Sequence, residues 1–172
     1  YLPIPSVTWT AGTLRLEITV FAAGAPDSSS LYARYRVTNT GRATATPTLY
    51  LALRPFQVNP SWQFLATQGG VANIAHVSWE YSLLRVNDSL TVVPLTAPSA
   101  VGAATFDGGG TIEALRAGSL TPSHDVRDAT ESASAAMSYP LVIKPGATRD
   151  VYVLVPFHAH GVIGSKATGI GG

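Results

Sequence analysis

The chain has 172 residues and contains no cysteine. A disulfide framework, a thiolate metal site and a cysteine nucleophile are therefore excluded. A lack of cysteine fits the cytosol, the periplasm and secretion equally, so the localisation stays open. The apolar runs are far too short to span a bilayer, and the first residues do not resemble a secretory leader. We therefore expect a soluble chain with no membrane partner.

Charged residues are also scarce. Only 12% of the chain is Asp, Glu, Lys or Arg, whereas 46% is hydrophobic, and the formal net charge is +1. The basic residues are scattered, which excludes the electrostatic footprint of a nucleic-acid-binding protein. A surface with so little charge is typical of a domain that another polypeptide partly covers.

Alternating apolar and polar residues predict a series of short β-strands. The clearest of them are residues 7–9, 13–21, 31–38, 49–54, 83–86, 90–93, 139–143 and 148–156. The Asn87-Asp88-Ser89 sequence predicts a hairpin turn between two of these strands. The three glycines at 108–110 predict a second hairpin between strands at 101–106 and 111–116. We read this glycine run as a turn and not as a phosphate-binding loop, because we expect no helix after it and no lysine follows.

One segment departs from this pattern. Residues 119–138 are polar, rich in alanine and low in β-branched residues. They are the one place where we predict a helical turn, at residues 128–136, with Asp128 or Thr130 as its cap.

Together these segments predict an all-β fold, an antiparallel β-sandwich of about ten or more strands with at most one short helix. We expect a single domain at residues 1–163 and a flexible glycine-containing tail at 164–172. The abrupt beginning and this tail suggest a piece of a longer polypeptide.

The most informative stretch is the loop at residues 54–63, which follows a predicted strand. Pro55 and Pro60 stop the strand pattern and stiffen the chain. The loop is rich in groups that could bind a polyhydroxylated ligand or another protein surface, namely Arg54, Gln57, Asn59, Trp62 and Gln63. The alternative is that Phe56 and Trp62 close one end of the sandwich while the polar side chains satisfy loop backbone groups.

Trp79 is a second candidate for an aromatic residue that stacks against a sugar ring, and it has His76 and Glu80 near it in the sequence. A sugar binder needs an exposed aromatic ring next to polar side chains that can pair with hydroxyl groups. Burial in the sandwich core is at least as good an interpretation for Trp79, and the better one for Trp9.

The sequence offers little for catalysis or metal binding. Five acids fall between positions 107 and 131, but most lie in predicted turns or polar segments, where a solvated carboxylate is the ordinary state. His158 and His160 are two residues apart but have no acid beside them. We therefore expect no catalytic residue, no metal and no cofactor in this chain.

Several separated motifs resemble a β-sandwich domain of large bacterial proteins that also carry an (α/α)6 glycosidase-like region. They are Leu-Ala-Leu-Arg-Pro-Phe-Gln-Val-Asn-Pro-Ser-Trp-Gln-Phe-Leu at 51–65, Gly-Gly-Val at 69–71, Pro-Leu-Thr-Ala-Pro at 94–98 and Val-Pro-Phe-His at 155–158. The resemblance covers most of residues 31–158 and implies a fold similar to the galactose-mutarotase-like supersandwich. It also implies that the catalytic acids belong to the helical region, on which the sandwich packs.

Three hypotheses follow. The leading one is a non-catalytic sandwich domain of a bacterial carbohydrate-active enzyme, whose partner is a helical catalytic domain of the same polypeptide and whose 54–63 loop lies at the junction or the substrate rim. The second is an autonomous carbohydrate-binding module that binds oligosaccharide through Trp62 or Trp79. The third is a stand-alone glycosidase or aldose mutarotase that uses His76, Glu80 or the acids after Asp107.

Overall fold

The computed structural model of the chain describes residues 4–57 and 71–158. Within these ranges it contains thirteen strands and one short helix. They are β1 (Ser6–Ala11), β2 (Leu14–Ala23), β3 (Ser30–Asn39), β4 (Thr48–Leu53), β5 (Phe56–Gln57), β6 (Val71–Ala72), β7 (His76–Glu80), β8 (Leu83–Val86), β9 (Leu90–Pro94), β10 (Ala100–Ala104), α1 (Gly110–Arg116), β11 (Asp125–Arg127), β12 (Ser134–Pro140) and β13 (Thr148–Pro156).

Eight strands form one antiparallel sheet in the order β1-β2-β3-β13-β9-β8-β7-β11. The long alternating strands β2 and β3 pair along their whole length, from Leu14 opposite Asn39 to Ala23 opposite Ser30. The predicted hairpin between β8 and β9 is confirmed, and its turn residues Asn87 and Asp88 adopt positive φ. Asn and Asp tolerate this conformation better than other non-glycine residues, which explains why they occupy the turn.

A smaller sheet of three strands, β10-β12-β4, lies against the larger one. Both sheets contribute to one hydrophobic core, with Val77, Leu84 and Val151 from the larger sheet and Val101 and Met137 from the smaller one. The predicted all-β sandwich is therefore confirmed. The strands β5 and β6 form a separate two-stranded ribbon.

The predicted helical turn at 128–136 is wrong. The alanine-rich segment forms β12, the central strand of the smaller sheet, and Ala135 and Ala136 are completely buried there. The neighbouring strand β10 is also tightly packed: a Cβ on Gly102, which pairs with Ala136, would lie 2.3 Å from the carbonyl oxygen of Thr121. Close packing between strands therefore outweighs the helix propensity of alanine.

The predicted hairpin at 101–116 is also wrong in its second half. Residues 110–116 form α1, so a helix does begin after the glycine run. The sequence Glu-Ala-Leu-Arg at 113–116 has high helix propensity, and the Glu113 carboxylate accepts a 2.7 Å hydrogen bond from the Arg116 guanidinium. Gly109 and Gly110 enter the helix with φ of 86° and 60°, a conformation that favours glycine.

With seven residues, α1 is far shorter than a bilayer crossing requires, and the described ranges hold no longer apolar helix. The predicted tail at 164–172 and the last residues of the predicted domain lie outside the described residues.

Candidate functional site

The predicted contact loop at 54–63 is described only at its beginning. Arg54 follows β4 and is exposed, and the backbone of Gln57 pairs with Val71 in the short β5–β6 ribbon. Asn59, Trp62 and Gln63 lie outside the described residues, so their predicted role stays a prediction.

Arg54 lines a cleft of about 470 Å³. Pro55 lies beside it, the turn before α1 contributes Phe106, α1 contributes Thr111, and the turn before β12 contributes Ser132. Phe106 is 64% exposed. The cleft thus combines a guanidinium, an aromatic ring and hydroxyl groups, which is the composition predicted for a sugar site, although the aromatic residue differs from those predicted.

Asp128 holds two walls of this cleft in place. Its carboxylate accepts a 2.5 Å hydrogen bond from the backbone N–H of Phe106 and further bonds from the backbone N–H groups of Thr130 and Ser132. The Thr130 hydroxyl donates to it at 2.6 Å. The Thr130 hydroxyl and these N–H groups favour the ionised carboxylate and lower the pKa of Asp128 to about 2. Asp128 was considered as a candidate acid, but its oxygens are engaged in holding loops together.

His76 lies in a different, polar pocket of about 320 Å³, which Asp88 and Arg127 also line. The imidazole is mostly buried, with Nδ1 3.0 Å from the carboxylate of Asp88 and Nε2 2.9 Å from that of Asp125. Asn87 supports this arrangement, since its side-chain oxygen accepts the backbone N–H of His76 at 3.1 Å. His76 therefore joins β7, the β8–β9 turn and β11, and both of its ring nitrogens are engaged.

Trp79 does not share a surface with His76 and Glu80. Neighbouring residues of a strand point to opposite faces, so Trp79 lies on the same face as Val77, where it is partly buried against the core. Glu80 is exposed at the end of β7. The structure thus distributes the described candidate residues over separate places: Arg54 in the cleft, His76 in the polar pocket, Trp79 at the core and Glu80 on the surface.

Of the other candidate acids, Glu131 lines the polar pocket of His76, Asp125 contacts the imidazole, and Glu113 lies on α1. Glu113 pairs with Arg116, Asp125 with His76, and Glu131 with the side-chain amide of Asn73 at 2.6 Å. Within residues 4–57 and 71–158, no cluster of three metal-ligating side chains is present.

Trp9 is a residue whose position the sequence analysis predicted wrongly. It is 64% exposed, although burial in the core was the favoured interpretation. Trp9 pairs with Leu16 across β1 and β2 and therefore lies on the inner face of the larger sheet. Together with Leu16, Leu49 and Leu141 it lines an apolar groove of about 270 Å³, which we call the open end of the sandwich.

Phe106 and Asp128 are further residues whose site roles the sequence analysis did not identify. Phe106 was read as the last residue of a strand, and Asp128 as a possible helix cap. The signal that could have found the turn is the sequence Thr-Phe-Asp-Gly-Gly-Gly at 105–110, in which an aromatic residue precedes a run that cannot continue a strand.

Comparison with known proteins gives little more. No protein-family model matches the chain. No curated protein matches it either. Among solved structures, the chain is similar to the crystal structure of a heparan sulfate lyase HepC mutant from Pedobacter heparinus, with 11% identity and a TM-score of 0.34. The similarity covers 90% of this chain but only 22% of that protein, and a score at this level supports no conclusion about function.

Proposed function

We propose that this chain is a non-catalytic β-sandwich domain of a bacterial carbohydrate-active enzyme, and that it packs its open end against a helical catalytic domain of the same polypeptide. The observation that carries this proposal is the exposed inner face at β1. All six residues of β1 are exposed, and Trp9 borders the apolar groove. Exposed apolar surface of this kind marks an interaction site, because water contact with it is unfavourable.

Two further observations support the proposal. The motifs at 51–65, 94–98 and 155–158 resemble those of sandwich domains that accompany (α/α)6 regions. Two of the carboxylates considered for catalysis are engaged elsewhere, Asp128 with backbone N–H groups and Asp125 with His76. This engagement favours a structural role over turnover by the chain itself.

Hydrogen–deuterium exchange tests the docking proposal. The amides of β1 and β4 should exchange faster in the isolated chain than in the full parent polypeptide, since docking would cover both strands. The matched control is the loop at residues 24–29, which lies away from the groove residues in the sequence and should exchange equally in both. Equal exchange of β1 and β4 in both forms would refute docking at the open end.

A substitution and an activity assay complete the test. Trp9→Ser in the parent polypeptide should remove the protection of β1, whereas Tyr81→Ala should leave it unchanged, because Tyr81 is 89% exposed on the β7–β8 turn. The purified chain should not hydrolyse aryl glycosides or interconvert aldose anomers. Turnover that disappears in His76→Ala would overturn the non-catalytic assignment.

A further inference from the structure

The cleft beside Arg54 has the properties of a preformed ligand site. Its volume of about 470 Å³ lies within the range of small-molecule pockets. It lies beyond the Leu53 end of β4, whereas Thr48 and Leu49 at the other end of the strand line the open end. A ligand in the cleft and a domain docked at the open end would therefore use different surfaces of this chain.

The backbone of Phe106 is held by hydrogen bonds, although the residue is exposed. Its backbone N–H donates to Asp128, and its carbonyl accepts the N–H of Gly109 at 3.0 Å. The backbone is thus fixed on both sides, while the residue as a whole is 64% exposed. An exposed aromatic side chain on a fixed backbone provides an apolar face that suits stacking against the C–H face of a sugar.

The opposite wall is fixed by the same carboxylate. Asp128 accepts the backbone N–H of Ser132 at 3.3 Å, and the Ser134 hydroxyl accepts the backbone N–H of Thr111 at 3.1 Å. The buried hydroxyl of Thr111 has no hydrogen-bond partner within the described part of the chain. Buried hydroxyls are normally paired, so an unpaired one in a residue that lines the cleft is an observation that points to a ligand.

The positive charge in the cleft favours a sugar that carries a negative charge. Arg54 is the charged side chain among the lining residues, and no acid lines the cleft in the described ranges. The nearby acids Asp128 and Glu131 are engaged with backbone N–H groups and with Asn73. A planar guanidinium without a competing acid in the lining matches a carboxylate, with which it can form two parallel hydrogen bonds.

We infer that this cleft binds a saccharide that carries a carboxylate, with the sugar ring on Phe106 and the carboxylate on Arg54. This site goes beyond the docking role, and its relevance to a carbohydrate-active enzyme rests on the function proposed above. It would place a uronic acid residue of an acidic polysaccharide at the surface of the sandwich.

The test is a nuclear magnetic resonance titration of the chain with trigalacturonate and, in parallel, with the same trisaccharide methyl-esterified at its carboxylates. Trigalacturonate should shift the amides of residues 106–112 and 132–134, and esterification should weaken binding about tenfold. Equal binding of both would overturn the assignment of the carboxylate. No binding, or shifts confined to other residues, would overturn the site.

Four variants sharpen this test. Arg54→Gln should weaken binding of trigalacturonate about tenfold and abolish the preference over the ester, and Phe106→Ala should weaken both ligands several-fold. Arg149→Gln and Tyr81→Ala, an exposed cation and an exposed aromatic outside the cleft, should bind like the unmodified chain. Unchanged thermal unfolding of Arg54→Gln and Phe106→Ala controls for folding. If the unmodified chain binds no trigalacturonate while β1 is still protected in the parent polypeptide, the saccharide site is refuted and the docking proposal is not.

Discussion

The two halves of the eight-stranded sheet differ in what covers them. Leu84 of β8 and Trp9 of β1 are both large apolar residues on strands of the same sheet, yet Leu84 is 1% exposed and Trp9 64%. The three-stranded sheet covers β8, which contributes Leu84 and Val86 to the shared core, and leaves β1 uncovered. Burial is thus decided by how far the smaller sheet extends, and the uncovered half is where we place the docking surface.

The sharpest test of this difference is Leu84→Ala. We expect a loss of about 2–5 kcal/mol in the free energy of unfolding, because the substitution leaves a cavity in a core that cannot fully collapse. Urea denaturation measures this loss. Leu84→Met, which conserves volume, should cost less than about 1.5 kcal/mol, and an equal loss for both variants would contradict a cavity effect.

The pH dependence of stability tests the structural role of the Asp128 carboxylate. Its pKa in the folded chain, about 2, lies below the ordinary value of 3.8. Its contribution to stability is therefore fully present above pH 3.8 and is lost as the pH falls through 2. Asp128→Asn should lower the melting temperature near neutral pH and flatten its fall between pH 4 and 2, as followed by circular dichroism.

Thr130→Val is the matched variant for this prediction. The Thr130 hydroxyl is the largest cause of the lowered pKa of Asp128, so its removal should shift the acid-induced loss of stability to higher pH. Identical pH profiles for the unmodified chain and Asp128→Asn would show that the carboxylate does not stabilise the fold as described.

The outer face of the larger sheet offers a smaller effect. Arg36 and Asp150 pair side by side across β3 and β13 through two 2.8 Å hydrogen bonds, and the guanidinium lowers the pKa of Asp150. Their side chains remain 36% and 21% exposed, so solvent screens the pair. A double-mutant cycle with Arg36→Gln and Asp150→Asn should give a coupling energy well below the loss for Leu84→Ala.

The pair of Glu113 and Arg116 on α1 is the control for this cycle. Its side chains are 66% and 73% exposed. We expect a weaker coupling there than for Arg36 and Asp150, because a more exposed pair with a single hydrogen bond is more strongly screened. A larger coupling energy for Glu113 and Arg116 than for Arg36 and Asp150 would contradict the expectation that the less exposed pair interacts more strongly.

The smallest effect is expected in the uncovered half. Trp9→Ala in the isolated chain should change the free energy of unfolding by no more than about 0.5 kcal/mol, because the indole is mostly in water already. Urea denaturation measures this change, and acrylamide quenching of tryptophan fluorescence checks the exposure. A loss similar to that for Leu84→Ala would mean that Trp9 is covered, and would remove the basis for docking at the open end.

The sequence predicted the alternating strands well and the packed small-residue segments poorly. In β2 and β3 apolar and polar residues alternate as the two faces of a strand require, so the local pattern and the tertiary structure both specify a strand. In β12, the alanines favour a helix by intrinsic propensity, and pairing with β10 and β4 makes the segment a strand. Asn39 shows the same limit: it directly follows the predicted strand at 31–38, yet it is completely buried and its side-chain amide donates to the carbonyls of Ala43 and Ile143.

The candidate site was predicted only in part for the same reason. Arg54 was identified from its position at the root of a stiff loop, but its described partners in the cleft come from residues about 50 to 80 positions later in the chain. No local pattern links Phe106 to Ser132, since the link is the carboxylate of Asp128, which reaches both turns.

The sequence by itself therefore determined the class of the fold, because strand periodicity and turn residues are local properties that neighbouring residues encode. Only the tertiary structure decided which apolar residues are covered and which polar groups meet. Those outcomes depend on the extent of one sheet over the other and on contacts between segments far apart in the chain, which no short stretch of sequence specifies.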